Sequence, residues 1–579
     1  MSWKIHGENV RAMQEEIYLV SLKRRPVELV IENATVFNSI TAEFLECQNV
    51  WVKNGTICYV GIDEDPVTDA DTMMIDVQGK VLLPGLIEGH THILNFIGPE
   101  EFIRHVIPSG TTTVVTETIE LASVAGQEGF DYFIKALQDQ PIRLYYTISP
   151  MCGLTLEEEV HSPPAEEYHK YLRDPLCLGL GEIYWANMLL ENEQGERVRK
   201  LAEMALSYGK LVEGHTAGAS PNKLQAYTSM GVSSCHEPIN GQEVIDRLRL
   251  GYWVMIRQGA IRQELDAVAG IFSRGVDTRR VVICTDSMDP ERFINQGSLD
   301  AAVRRALELG VPPEKVYQSV TINVAEHFRL DNMLGSISPG KKADMVIIPE
   351  PGEYRPEKVI CDGKLIFEDS RVTAKIRPST YPEYFFNSVK PQPFDMPPVP
   401  QEGKVRVMDL VTRLVTTEGI ADLDDPQQRK QLNLLLAIER TGRGGMFLGM
   451  IKGLGLKYGA AGTTMCWDTS DMFVAGCDEE SIRAVVDRLE VIGGGAVVAV
   501  GSKILAEYPA RLCGIVGLED METAWNQIQK TERALAELGV PWEKPILTLN
   551  TLGTAAIPHL RITHHGYVRL RDRAVLPLQ

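Results

Sequence analysis

Two histidines stand two residues apart in GLIEGHTHI, where His90 and His92 close an apolar run that reads as a β-strand. Alternate residues of a strand share a face, so both imidazoles point the same way and can chelate one metal ion. Such a pair can equally cap a strand end, and alone it decides nothing. Other potential ligands close other short apolar runs: Glu182 in LGLGEI, His215 in VEGHTAG, His236 in SSCHEPI and Asp286 in VICTDS. A set of imidazoles and carboxylates without thiolates suits Zn, Mn or Fe(II). An ion of this kind lowers the pKa of a bound water from about 15.7 towards about 7, which supplies a nucleophile at neutral pH.

These residues need a scaffold that gathers strand ends. From about residue 84 to 333 compact apolar runs (TTTVV, RLYYTIS, CLGLGEI, KLVEGH, VVICTD) are each followed by a longer helical stretch. Repeated strand-then-helix units predict parallel strands with crossover helices, either a (β/α) barrel or a doubly wound sheet. In a barrel, residues at the C-terminal strand ends converge on one cavity. Residues 1–83 carry short alternating runs separated by turns such as Asn54-Gly55, and hairpin character returns over 334–389. One β module is therefore expected from both flanks of the barrel. A Pro-rich linker is read at 390–403 and a separate α/β domain at 404–579.

With 579 residues and 44% hydrophobic content the chain can bury large cores without staples. No apolar run reaches the roughly 18 to 20 residues of a membrane helix. The N-terminus lacks the basic-then-apolar order of a secretory signal, so the cytoplasm is the expected compartment and no membrane partner is expected. Ten scattered cysteines without a C-x-x-C read as reduced core thiols. A net charge of −20 argues against a nucleic-acid partner and favours a small molecule.

KVLLPGLIEGHTHI, the later strand-end histidines and TDSMDP resemble the metal-dependent amidohydrolase superfamily. GTTTVV, LGLGEI, EGHTAGAS, LRLGYWVMIRQGA and TINVAEHF, with ERTGRGG, KGLGLKYGA and IGGGAVV downstream, are similar to its adenine deaminase branch over about residues 28–575. The resemblance implies an α/β fold: a (β/α)8 TIM-like barrel, a β-sandwich module from both flanks, and a C-terminal adenine-deaminase-like α/β domain. It further implies a binuclear divalent site (Mn, Fe or Zn), in which His90 and His92 hold one ion, His215 and His236 the other, and Glu182 bridges them. Asp286 would be both a ligand and the proton shuttle, with Glu182 and Asp286 the catalytic pair. The implied reaction is adenine plus water to hypoxanthine and ammonia. A homo-oligomer is expected by analogy.

Three motifs depart from that family's usual pattern. After GTTTVV it has Asp-Pro-His-Glu, where this chain has Thr116-Glu117-Thr118-Ile119-Glu120. Ile-Glu-Ser-Ser becomes Ile93-Leu94-Asn95-Phe96, and His-Asp-Ser-His-Asn becomes Trp467-Asp468-Thr469-Ser470-Asp471. These departures keep a second reading in play, ring opening of an oxopurine or cyclic ureide. A third, a non-catalytic barrel scaffold, is opposed by the presence of all six candidate ligands. Glu117, Glu120, Tyr184 and Trp185 are the candidate substrate contacts, the two aromatics as stacking surfaces for a planar ring. Arg257 and Arg262 could orient a carbonyl or carboxylate, though ion pairing is their plainer role. GSISPGKK at 335–342 nearly matches a P-loop but ends in Lys342 and reads as a turn. The His6-x-Glu8 pair lacks the later P-C-x-x-C of zinc nucleobase deaminases. His564 and His565 in ITHHGY read as exposed turn residues.

Overall fold

The computed structural model describes residues 7–62, 65–159 and 162–579; His6 lies outside them, as does the side chain of Glu8. Strands Leu29–Asn38, Glu43–Lys53, Thr56–Gly61, Met73–Asp76 and Val81–Pro84 join Met345–Ile348, Lys358–Cys361, Lys364–Glu368 and Arg371–Val372 in one nine-stranded sheet. Chain from the two sides of the central region meets where Val81–Pro84 runs antiparallel to Met345–Ile348. Two tight hairpins in this sheet turn through Asn54-Gly55 and Asp362-Gly363, all four residues at positive φ. Such a turn follows the strand twist and needs residues that tolerate the left-handed region. GSISPGKK likewise bends at Gly340, with φ +88°.

The central region has eight parallel strands: β1 (Leu86–His92), β2 (Thr111–Thr116), β3 (Arg143–Ile148), β4 (Cys177–Tyr184), β5 (Leu211–His215), β6 (Ser234–Cys235), β7 (Trp253–Arg257) and β8 (Val281–Cys284). β1 to β5 form consecutive parallel pairs, and β6 to β8 form a second run. The Ser233 N–H donates to the Val212 carbonyl (2.9 Å), which joins the two runs. Beyond β8, Asp286–Ser287 pairs in parallel with Thr91–His92 of β1, so the sheet curls until its last edge meets its first. Strands such as β2 and β8 are buried throughout, as a parallel sheet covered on both faces requires. The crossover helices have physical starts: Asn192 and Asn240 accept from the N–H groups of Gly195 and Glu243 at two of them.

Beyond residue 403 an eight-stranded sheet, antiparallel except for the pairing of Lys404–Leu410 with Met446–Lys452, carries helices Glu479–Ile492 and Met521–Glu537. A three-stranded sheet, Leu560–Thr563, Gly566–Arg569 and Ala574–Leu576, completes it. The Pro-rich segment lies along this part of the chain, with Phe394, Met396 and Val399 against its core. Among the described residues no helix is long and apolar enough to cross a membrane. Every cysteine is free and most are buried.

The C-terminal part roofs the mouth of the curled sheet. The Tyr508 hydroxyl donates to the Phe96 carbonyl (2.6 Å), and the Arg413 guanidinium donates to the Ile261 carbonyl (2.9 Å). These bonds close a polar cavity floor beneath a lid made by residues far along the chain.

Candidate metal centre and active site

All six strand-end residues come together at this mouth. One atom from each of His90, His92 and Asp286, and one from each of Glu182, His215, His236 and Glu237, lie within 4.8 Å of one another in two neighbouring groups. Glu182 connects the groups by its two oxygens. Oε2 faces the Nε2 atoms of His92 (3.6 Å) and His90 (3.9 Å), while Oε1 faces the Nε2 of His236 (3.4 Å) and contacts the Nδ1 of His215. Asp286 Oδ1 lies 3.4 Å from the Nε2 of His90 and 3.9 Å from that of His92.

Glu237 is the member that sequence reading missed. Its Oε1 is 2.7 Å from His236 Nε2 and 3.1 Å from His215 Nδ1, and its Oε2 accepts the Thr216 N–H at 2.6 Å. The signal was its place beside His236 at a strand end. No alternation argument selects two consecutive residues, because neighbours on a regular strand face opposite ways. The chain leaves β6 at Cys235, and this freedom lets His236 and Glu237 turn to one centre.

Burial and charge act against each other here. Burial favours the neutral form of every ionisable group. For Glu182 that effect is overcome by the imidazoles of His215 and His236, which hold its carboxyl well below the usual range. Asp286 is also held down, against burial, by His90, His236 and Arg257. Burial would lower His92, but the carboxylates of Glu120 and Glu182 hold it well above its ordinary value. His236 is raised the same way, against burial, by Glu237 and Glu182. Asp286 has φ +62°, a left-handed conformation rare for a non-glycine residue and found where function over-determines geometry. Arg257 braces it, with Nη1 3.3 Å from its Oδ2 and a two-bond pairing to Glu264 (3.0 and 2.8 Å) on the other side.

The donor set fits a divalent metal. His90 Nε2 and Glu237 Oε1 are buried without a hydrogen-bond partner, and the imidazoles and carboxylates point inward with no thiolate among them. Imidazole ligands commonly use their second nitrogen to bond a carboxylate that fixes the ring. Glu120 stands 2.7 Å from His92 Nδ1 and Glu117 3.3 Å from His90 Nδ1. The two glutamates considered as substrate contacts therefore sit behind the histidine pair, although Glu120 also reaches the cavity wall. Replacing Glu120 with Gln is expected to weaken metal retention and lower activity by roughly 10- to 100-fold, the usual cost of removing such support. Metal content of the purified variant checks this.

Above the cluster lies a cavity of about 370 Å³, within the size range of small-molecule sites. Its walls are mainly apolar, among them Leu94, Phe96, Ile119, Ile239, Ile261 and Trp467. Ile119 and Trp467 lie in two of the motifs that depart from the resembled family's pattern. Tyr184 also lines the cavity, and its hydroxyl donates to Asp468 (3.1 Å) from the C-terminal part. Trp185 does not line it: its indole N–H donates to the Ala217 carbonyl (2.7 Å), and Lys223 covers its ring at 4.3 Å. Arg262 and Arg257 both line the cavity, and Arg257 is in addition committed to Glu264 and Asp286. The Ala556 carbonyl lies 3.0 Å from His215 Nε2, so the roof also touches the candidate ligands. Sequence reading expected His564 to be exposed. Its side chain is instead only 13% accessible, because its Nδ1 lies 2.7 Å from the fully buried carboxylate of Asp471.

Residues 81–366 match the model of the amidohydrolase family, and residues 409–574 match that of the adenine deaminase C-terminal domain. The chain is 32% identical to adenine deaminase 2 of Carboxydothermus hydrogenoformans, over 97% of this chain and 99% of that one. It is 30% identical to an adenine deaminase of Moorella thermoacetica, over 96% of both. A β-aspartyl dipeptidase structure from Fervidobacterium islandicum is similar to 61% of this chain and 99% of its own, at 20% identity and a TM-score of 0.47.

Proposed function

The chain belongs to the adenine deaminase family of the amidohydrolase superfamily, and from that premise we propose that it hydrolyses adenine to hypoxanthine and ammonia at the mouth of the curled sheet. It is a metal-dependent hydrolase acting on C–N bonds. One observation carries the residue assignment: Glu182 divides its two oxygens between the His90–His92 pair and the His215–His236 pair, at the floor of the cavity. We read this as a binuclear site for Mn, Fe or Zn, with His90, His92 and Asp286 on one side and His215, His236 and Glu237 on the other. We also read the eight curled strands as a (β/α)8 barrel, whose C-terminal strand ends carry the site.

Divalent ions bound there supply Lewis acidity, which brings a water within reach of ionisation at neutral pH. The protein's own groups do the rest. The apolar walls hold the planar purine and exclude bulk water, and Asp468 and Tyr184 offer a hydrogen-bonding edge to its ring nitrogens. Asp286 takes a proton from the attacking water and returns it to the amino nitrogen, so ammonia leaves in place of an amide anion. Arg257 keeps that carboxylate aimed and ionised.

Chelation of the purified protein is expected to abolish ammonia release from adenine, and added Mn, Fe or Zn to restore it. Activity that survives complete metal removal would reject the reading. Protons compete with metal for His92 and His236, whose pKa values stand above the usual imidazole value. Metal affinity should therefore be weak at acid pH and climb as pH rises through and beyond neutrality, with proton release on binding. Calorimetric titration in buffers of different ionisation enthalpy measures both.

A further inference from the structure

Outside this centre, a second mixed group of ligating side chains spans the seam between the barrel region and the C-terminal part. Glu158 comes from the short helix Leu156–Glu159 after β3, Asp471 from the start of strand Asp471–Gly476, and His564 from the turn after Leu560–Thr563. One atom from each lies within 4.8 Å of the others. Glu158 and His564 border a cavity of about 140 Å³, separate from the main one but sharing Asp468 and Ile119 as walls.

The group sets two carboxylates against one imidazole, His564, whose pKa is raised against burial chiefly by the Asp471 carboxylate. Asp471 is fully buried, with Oδ2 accepting the His564 N–H (3.0 Å) and Oδ1 facing the ring nitrogen. Glu158 Oε2 accepts the N–H groups of Leu154 (2.9 Å) and Thr155 (3.2 Å). Among the described residues no lysine or arginine forms an ion pair with either carboxylate. Arg443, which borders the same cavity, is engaged by Glu439, Thr441 and Ser470. With both carboxylates ionised one imidazolium offsets only one of them, so buried Asp471 and half-buried Glu158 require either a shared proton or a cation. Burial, then the Asp471 charge, push the Glu158 carboxyl up to about 8. Asp471 also lies in one of the departures from the resembled pattern noted above.

We propose that Glu158, Asp471 and His564 form a third divalent-cation site that ties the C-terminal part to the loop after β3. Carboxylate oxygens and imidazole nitrogens are donors that zinc and manganese accept, and the adjoining cavity leaves room for water to complete the shell. The ion neutralises the unbalanced pair and fixes the segment holding Asp468, three residues before Asp471, against the main cavity.

The test uses zinc as probe on the full chain. Equilibrium dialysis against Zn²⁺ should give one ion fewer per chain for Asp471→Asn and for His564→Ala than for the unmodified protein, with adenine deamination retained. Asp471→Asn keeps the shape and the acceptor for the His564 N–H, so it guards against a folding defect in the other variant. Because the readout is a difference, it does not depend on how many ions the catalytic centre holds. Anomalous scattering from a zinc-soaked crystal should place a peak among the three side chains. Equal stoichiometry in all three proteins, or no peak there, would overturn the proposal and leave a shared proton as the balancing charge.

Discussion

Replacing Glu182 with alanine is expected to remove both activity and stoichiometric metal, lowering kcat/KM by roughly 10³-fold or more, the scale of losing a preorganised electrostatic stabiliser. Among the described residues no other carboxylate forms an ion pair with members of both histidine pairs: its Oε2 lies 3.6 Å from His92 and its Oε1 3.4 Å from His236. Without it, His90, His92, His215 and His236 lose the carboxylate that all four of them face. Metal analysis beside initial rates separates this from a folding defect, since circular dichroism should remain near that of the unmodified protein. A variant that keeps its full metal complement would remove Glu182 from the bridging role.

The second large effect is expected from Asp286→Asn. The amide has nearly the same shape and can still accept from Arg257, so the fold and most of the metal should persist. It cannot accept a proton from the attacking water, however, and general acid–base groups typically contribute about 10² to 10⁴-fold. The loss should fall mainly on kcat, because the apolar walls that hold the substrate are untouched. Near-normal turnover in this variant would reject Asp286 as the shuttle.

The cluster at the mouth was legible because its members close apolar runs. His90, His92, Glu182, His215, His236 and Asp286 announce themselves at strand ends, and a curled parallel sheet brings such ends to one face. The hairpin module was legible from Asn54-Gly55 and the alternating runs beside it. Glu237 was hidden by a departure from strand geometry that follows the short β6. Glu117 and Glu120 were recognised as polar groups near the site, but only the fold reveals that they stand behind His90 and His92. Trp185 illustrates the opposite error, since its type suggests stacking while the turn after Tyr184 sends its ring to Lys223. The roof was least legible of all. Asp468, Ala556 and Tyr508 reach the mouth through contacts across hundreds of residues of chain, and no local pattern encodes which loop will cover a distant strand end. His564 belongs to the same class, because its partner Asp471 lies 93 residues away.

The most direct measurement is adenine turnover by the metal-loaded protein in heavy-oxygen water, with ammonia counted and the purine product weighed. Hydrolytic deamination predicts one ammonia per adenine and a hypoxanthine carrying one solvent-derived heavy oxygen. An unchanged adenine under full metal loading, beside an oxopurine or cyclic ureide that gains one water, would contradict the account and identify a ring-opening hydrolase on the same site.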